Sequence, residues 1–172
     1  MTEKWPERTF RFDLPTGRMP CLLARLRGAP ARAAALTRAV APDTLRRRSG
    51  QTWSVQENLG HLADIESLHL ARLDELQAGV TQLQPADMSN RRTWEANHNA
   101  ALLQSVLDAF AAVRATLVAR LTAWPADRLG VAALHPRLKI PMRVIDLAEF
   151  TAEHDDYHLA RMHELLVEFG AA

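Results

Sequence analysis

The sequence predicts an all-α protein, a four-helix bundle at residues 19–172 preceded by a short extended arm at residues 1–18. Four long segments repeat apolar residues at the three- and four-residue spacings of one helix face. Joins rich in glycine, proline or polar residues separate these segments, and the last join has room for an irregular or hairpin insertion. Helices connected in this way are expected to pack around one core.

The N-terminal arm is predicted to be extended, because Pro6 and Pro15 disfavour helix while Phe10 and Phe12 alternate with charged residues. Such a segment has no core of its own, and we expect it to pack over the bundle. Trp5 is interpreted as the anchor of this arm rather than as a ligand contact.

A first helix is predicted from about residue 20 to residue 40, where apolar residues form a stripe. Gly28 and Pro30 predict a break or kink near its middle. Three arginines recur every seven residues and are interpreted as a solvated face rather than a phosphate-binding strip: Arg18, Arg25 and Arg32.

The second helix is the most clearly delimited, from about residue 54 to residue 78. Ser54 and Glu57 match the S-x-x-E capping box at its start, and Gly79 is placed to end it. His61 lies at the edge of its apolar stripe. Taken alone, this residue would be an ordinary half-buried histidine.

The third helix is predicted from about residue 93 to residue 122, with Leu102 and Leu103 among its inward-facing residues. Residues 126–141 are expected to be irregular, with a short hairpin formed by residues 131–134 and 138–140. A fourth helix is predicted from about residue 142 to residue 169, after Pro141.

Two histidines lie in the middle of the apolar stripe of the fourth helix. Positions four apart stack about 6 Å along a helix axis, so His154 and His158 project from the same face. Each imidazole in a core needs partners for both ring nitrogens, and two in one small volume need them at once. Buried polar partners satisfy one such histidine easily, whereas a metal ion satisfies both together. We expect His61, 93 residues before His154, to join this pair in a three-histidine site.

Length and composition indicate one globular domain of ordinary make-up, with 172 residues, 48% apolar, 24% charged and a net charge of +1. This charge gives no reason to expect nucleic acid, and no uncharged apolar run approaches the roughly 18 residues of a membrane span. Cys21 is the only cysteine and is interpreted as a small core residue rather than a nucleophile. With no signal-peptide pattern at the start, a cytoplasmic location is expected.

Two sequence motifs together resemble the DinB-like (YfiT-like) superfamily of metal-dependent enzymes. The first is WSVQENLGHLAD at residues 53–64, similar to the opening of the family's second helix. The second combines the loop pair His135 and Pro136 with EHDDYH at residues 153–158. The resemblance covers about residues 20–169.

The resemblance implies a four-helix bundle, often a homodimer, in which His61, His154 and His158 bind one divalent metal, zinc or nickel. It also implies a small-molecule substrate. The family includes S-transferases and isomerases that use a low-molecular-weight thiol, and many further members that are labelled metal-dependent hydrolases without a demonstrated reaction. Three protein ligands leave a coordination position open, which suits activation of a thiolate or hydroxide against a small electrophile. No general base is assigned, and Asp64 and Asp155 are interpreted as surface carboxylates.

Two alternatives remain. A di-iron bundle is suggested by the E-x-x-H pairs Glu66 with His69 and Glu95 with His98, but it also needs carboxylates from the other two helices. The first helix has no acidic residue between residues 14 and 42, so His69 and His98 are interpreted as polar positions on helix flanks. The stronger alternative is a non-enzymatic metal-binding or dimerisation bundle with a vestigial site.

Overall fold

The computed structural model describes residues 2–171, and within them the chain forms six α-helices and one two-stranded antiparallel sheet. The helices are α1 (Met19–Thr37), α2 (Pro42–Arg46), α3 (Val55–Ala78), α4 (Arg91–Ala96), α5 (Leu103–Thr122) and α6 (Val144–Glu168). The strands are β1 (Ala132–Leu134) and β2 (Pro141–Arg143). No helix in the described part of the chain is long and apolar enough to cross a membrane.

Four of these helices form the bundle. The most extensive packing joins α1 to α5 and α6, and α3 to the same two helices, so each long helix has two neighbours around a ring. The predicted fold class is therefore confirmed. Two hydrophobic clusters fill the interior, and the buried charged residues Glu66 on α3, Arg114 on α5 and Asp155 on α6 lie between the parts of each helix that belong to the two clusters.

Of the break or kink predicted in the first helix, the break is wrong, because α1 continues through Pro30. Proline has no N–H to donate to the carbonyl four residues earlier, which here belongs to Leu26. The guanidinium of Arg114 on α5 donates to that carbonyl instead, with Nη1 3.4 Å from the Leu26 oxygen. A contact from a distant helix thus replaces the hydrogen bond that proline removes.

The start and end of α3 are as the sequence predicts. The Ser54 hydroxyl accepts from the Glu57 N–H at 3.1 Å, and the Glu57 carboxylate accepts from the Ser54 N–H at 2.9 Å. Gly79 ends the helix in the left-handed region, with φ of 73°. The Arg48 guanidinium also pairs with the Glu57 carboxylate.

The third predicted helix is in fact two helices. α4 ends at Ala96, and the next residue, Asn97, adopts a left-handed conformation with φ of 49°. A short 3₁₀ turn (His98–Ala100) then precedes α5. The Gln56 side chain on α3 donates to the carbonyls of His98 and Ala101, which fixes the joint. Leu102 is consequently 72% exposed rather than inward-facing.

The insertion before the last helix is a hairpin, but its second strand lies three residues later than predicted. Ala133 pairs with Met142, so β2 begins at Pro141 instead of Leu138. The intervening residues form a wide turn, in which the Leu138 N–H donates to Nδ1 of His135 at 3.1 Å.

The arm packs over the bundle. Phe12 is buried, and Arg143 donates to the carbonyl oxygens of Phe12 and Leu14. Trp5 lies against Phe150 on α6, with ring centroids 4.8 Å apart. These contacts place the arm beside the middle of α6, where the histidine pair lies.

Candidate metal centre

Three histidine side chains from two helices meet inside the bundle. His61 comes from α3, and His154 and His158 come from successive turns of α6; each is about 5% exposed or less. One ring nitrogen of each lies within 4.8 Å of the others. Within residues 2–171, this is the one group of three or more histidine, cysteine, aspartate or glutamate side chains arranged closely enough to share an ion.

The orientation of His158 is set by Asn58 on α3. The Asn58 amide nitrogen donates to the carbonyls of Trp53 and Ser54, so its Oδ1 atom is an acceptor. Nδ1 of His158 lies 2.8 Å from that oxygen and must therefore carry the proton. The lone pair of the neutral ring is then on Nε2, which faces the other two histidines.

His61 is oriented in the same way by Thr93 on α4. Nδ1 of His61 lies 3.0 Å from the Thr93 hydroxyl oxygen. Burial raises the pKa of the Asp64 carboxyl, but interactions with His98 and, to a smaller extent, with the Thr93 hydroxyl lower it overall. When the Thr93 hydroxyl accepts from Nδ1 of His61, the Nε2 lone pair of that ring is available to a metal.

His154 completes the group. Its Nε2 atom lies 3.2 Å from Nε2 of His158, and its Nδ1 atom is buried without a hydrogen-bond partner among the described residues. The Trp5 ring packs edge-on against it, with centroids 4.9 Å apart. Burying an imidazole without hydrogen-bond partners costs free energy. One ring nitrogen of His154 has no partner and the other faces the lone pair of His158, so this arrangement is unfavourable unless the two rings share a cation or a proton.

Burial keeps all three rings neutral. It lowers the pKa of His61 to about 4 and the pKa values of His154 and His158 well below the usual histidine range. The neighbouring histidines lower these pKa values further, since a second positive charge so close is unfavourable. Neutral imidazole is the form that ligates metals.

The donor set fits a divalent ion such as zinc. Bonds of about 2.1 Å to a shared ion put ligand nitrogens roughly 3 to 4 Å apart, so the rings need to move by only about an ångström. Three imidazole nitrogens suit zinc, nickel and related transition metals and leave a coordination position open.

A layer of buried charges lies beneath the triad. Arg114 on α5 pairs with both Glu66 on α3 and Asp155 on α6, and all three are nearly inaccessible. The interpretation of Asp155 as a surface carboxylate is wrong, because its partner lies 41 residues away on another helix. Arg114 thus pairs with Glu66, one of the two carboxylates of the di-iron alternative, while the side chain of the other, Glu95, is 70% exposed.

Other polar residues near the site also differ from expectation. Asp64 is mostly buried and lies 2.8 Å from Nε2 of His98, whereas it was expected on the surface. His69 is 1% exposed and lies inside the bundle rather than on a helix flank. Cys21 is exposed instead of lying in the core.

The predicted basic face of the first helix is largely paired with α6. Arg25 contacts the carboxylates of Glu153 and Asp156, and Arg32 contacts Asp156. These ion pairs hold α1 against the helix that carries two of the triad histidines.

Three cavities border the triad, one against each histidine. The His154 cavity measures about 210 Å³, the His158 cavity about 360 Å³ and the His61 cavity about 130 Å³. The His158 cavity is lined in part by Trp53, Tyr157 and Arg161. Small molecules can therefore approach the three rings from more than one side.

Comparison of the sequence with protein-family profiles shows which family the chain belongs to. The sequence profile of the DinB superfamily matches residues 25–162. The chain belongs to the DinB superfamily. Among curated proteins, none matches this sequence.

The solved structure of YfiT from Bacillus subtilis superposes with a TM-score of 0.81 at 17% sequence identity. The match covers 96% of this chain and 95% of YfiT, which is described as a probable metal-dependent hydrolase with an unusual four-helix bundle topology. At this identity the likeness establishes the shared fold. Together with the family match, it confirms the resemblance found in the sequence motifs.

Several residues that build this DinB-superfamily site were not identified from the sequence. Asn58 lies three residues before His61 on the same helix, so helical spacing could have suggested it. Thr93 and Arg114 carry no such signal, because each reaches the site from another helix.

Proposed function

We propose that this DinB-superfamily chain is a metal-dependent hydrolase acting on a small electrophilic molecule. The observation that carries the proposal is the convergence of three buried, neutral imidazoles whose free nitrogens face one another. His61, His154 and His158 would hold the ion. A divalent metal in such a site supplies Lewis-acid chemistry and lowers the pKa of a water or thiol that it binds.

The protein's own residues prepare the site in three ways. Asn58 and Thr93 fix two rings in the tautomer that presents Nε2. Trp5 packs edge-on against His154, and the Trp53 ring is centred 4.7 Å from His61. Such apolar cover limits water, which strengthens electrostatic interactions inside the site.

Thiol-dependent S-transfer is the second candidate, and the His158 cavity favours it. A transferase must admit two organic molecules, and cavities at both His154 and His158 offer separate places for them. Lys4 and Arg161 line the His158 cavity, and each also pairs with a glutamate, Glu7 and Glu164 respectively.

The first test is metal content. Protein purified without a metal-affinity tag should carry up to one equivalent of zinc or nickel by elemental analysis, and His158→Ala should lose it. His163→Ala is the matched control, because His163 is exposed on the same helix. Unchanged metal content in His158→Ala would contradict the assignment.

Turnover is the second test. The metal-loaded protein should hydrolyse members of a panel of esters and amides, or join thiols to electrophiles, and a chelator should abolish the activity. Metal bound at the three histidines without any turnover would instead favour a non-enzymatic metal-binding module.

Assembly and location are further parts of the proposal. A homodimer, as the family resemblance implies, should give a light-scattering mass of twice the 19.2 kDa of one chain. A single mass of one chain would contradict it. A cytoplasmic location is proposed from the single cysteine.

A further inference from the structure

The His154 cavity is apolar along most of its wall. Trp5, Ile65, Leu68 and Phe150 are among the residues that line it, and His154 closes one side. At about 210 Å³ it is larger than an apolar cavity of about 150 Å³ that accepts benzene. A small, compact organic molecule therefore fits beside the triad.

A buried hydrogen-bond donor lines this cavity. His135 is 2% exposed, and its Nδ1 atom accepts the Leu138 N–H at 3.1 Å. The proton of the neutral ring is therefore on Nε2, which is buried without a partner among the described residues. An unpaired buried donor of this kind is unfavourable until a ligand accepts from it.

Two arginines line the same cavity. Nη1 of Arg137 donates to the Pro6 carbonyl at 3.0 Å, but its Nη2 atom is buried without a partner in the described chain. Arg72 is 2% exposed and donates to the Gln84 carbonyl. Within residues 2–171, neither guanidinium makes an ion pair with a carboxylate.

The charge around this group is unbalanced. Burial lowers the pKa of Arg72 to about 10, and although Glu75 opposes this shift, Arg137 adds to it. Burial and the two arginines likewise lower the pKa of His135 to about 4. The Glu75 carboxylate is itself engaged, because it accepts from the Gln84 N–H at 3.0 Å. Two partly desolvated cations and one free N–H thus share a small volume that an anion would stabilise.

We propose that the His154 cavity binds a substrate carboxylate, with Arg72, His135 and Arg137 receiving the anion and the apolar wall receiving the rest of the molecule. The inference rests on the proposed function and names its substrate class, a small and mainly apolar carboxylic acid derivative. A planar carboxylate matches the fork of a guanidinium. The apolar wall favours it over phosphate, which carries more charge and water.

Calorimetric titration with benzoate and benzamide tests the proposal, because the two probes share a shape and differ in charge. The full-length protein is titrated both metal-loaded and after removal of metal with a chelator. Benzoate should bind at least about tenfold more tightly than benzamide in both states, since each 1.4 kcal/mol is a factor of ten. Binding that disappears with the metal would place the carboxylate on the ion and overturn the proposal.

Variants locate the binding site. His135→Asn keeps an acceptor for the Leu138 N–H but removes the Nε2 donor, and Arg137→Gln removes one charge; each should weaken benzoate binding about tenfold or more. Arg91→Gln, at an arginine whose side chain is 78% exposed, is the control and should bind normally. Circular dichroism confirms that each variant folds.

The outcomes separate this inference from the proposed function. Metal content and turnover are measured on the same preparations. The metal content should show a bound ion whether or not benzoate binds. Normal benzoate affinity in both cavity variants, equal affinity for benzamide, or selective binding of inorganic phosphate would each overturn the carboxylate site while leaving the three-histidine site intact.

Discussion

Nε2 of His154 lies 3.2 Å from Nε2 of His158, although the Asn58 side chain already fixes the proton of His158 on its other nitrogen. The lone pair of His158 therefore points at the neighbouring ring. Two imidazoles on adjacent turns are stable in this arrangement when a cation lies between their nitrogens. Asn58 thus determines which nitrogen of His158 is available to a metal ion.

The role of Asn58 leads to a prediction about metal affinity. Asn58→Leu removes the acceptor for His158 Nδ1, and loss of such a partner typically costs about 10- to 100-fold in affinity. Asn58→Asp keeps an acceptor oxygen and should retain most of the affinity, although it loses the amide donors. Competition with a chromophoric chelator measures both variants. Equal affinity in Asn58→Leu and the parent protein would show that the ring needs no orienting partner.

Arg114 is expected to be essential for stability, because it neutralises two buried carboxylates. Arg114→Met leaves Glu66 and Asp155 without their charged partner, which should lower the free energy of unfolding by about 3–5 kcal/mol. Urea denaturation measures the change. Arg120→Met is the control on the same helix, because Arg120 pairs with a largely exposed Asp74 and such surface pairs contribute at most about 1 kcal/mol. Similar losses in both variants would contradict the prediction.

A glycine is required at position 60 because the His98 ring packs against the backbone there, and not because of the backbone angles of Gly60. A Cβ atom at this position would lie 2.2 to 2.5 Å from ring atoms of His98. Gly60→Ala should therefore displace His98 from Asp64 and destabilise the protein by about 1–3 kcal/mol, despite the better helix propensity of alanine. Thermal unfolding measures the change.

Gly28 supplies the matched control for that substitution. It lies inside α1, and a Cβ there would meet no atom within 4 Å. Gly28→Ala should consequently raise stability by up to about 1 kcal/mol. A gain in stability at both glycines would show that His98 moves aside without cost.

The elements that the sequence predicted correctly are those determined by local patterns. The capping box at Ser54 and Glu57 and the stripe carrying His154 and His158 depend on residues within a few positions of one another. The bundle itself follows from four such stripes. Convergence of His61 with the α6 pair could be anticipated only because the motif at residues 53–64 resembles the DinB-like family. The stripe itself indicates no more than that His154 and His158 need a shared partner.

The features that were predicted wrongly depend on contacts between distant segments. α1 continues through Pro30 because Arg114 supplies the donor that proline lacks. The chain breaks at Asn97 because Gln56 holds the following turn, a contact across 42 residues that no local pattern reveals. Asp155 is buried because its partner comes from another helix. In each case a contact between distant segments determines the structure, and the local sequence pattern does not reveal that contact.

The low pKa of His135 should make stability depend on pH. Burial, Arg72 and Arg137 lower it to about 4, whereas a histidine in an unfolded chain has a pKa of about 6.5. Between these values the unfolded state binds a proton that the folded state does not, so the free energy of unfolding falls as pH decreases from about 6.5 to about 4.

Other buried histidines act in the same direction, and the contribution of His135 is the difference between the parent protein and His135→Asn. That variant should lose less stability over this range than the parent protein, and His163→Asn, at an exposed position of α6, is the control for the substitution itself. Urea denaturation of metal-free protein across this pH range measures the slopes, and an equally steep decline in His135→Asn would show that His135 does not contribute.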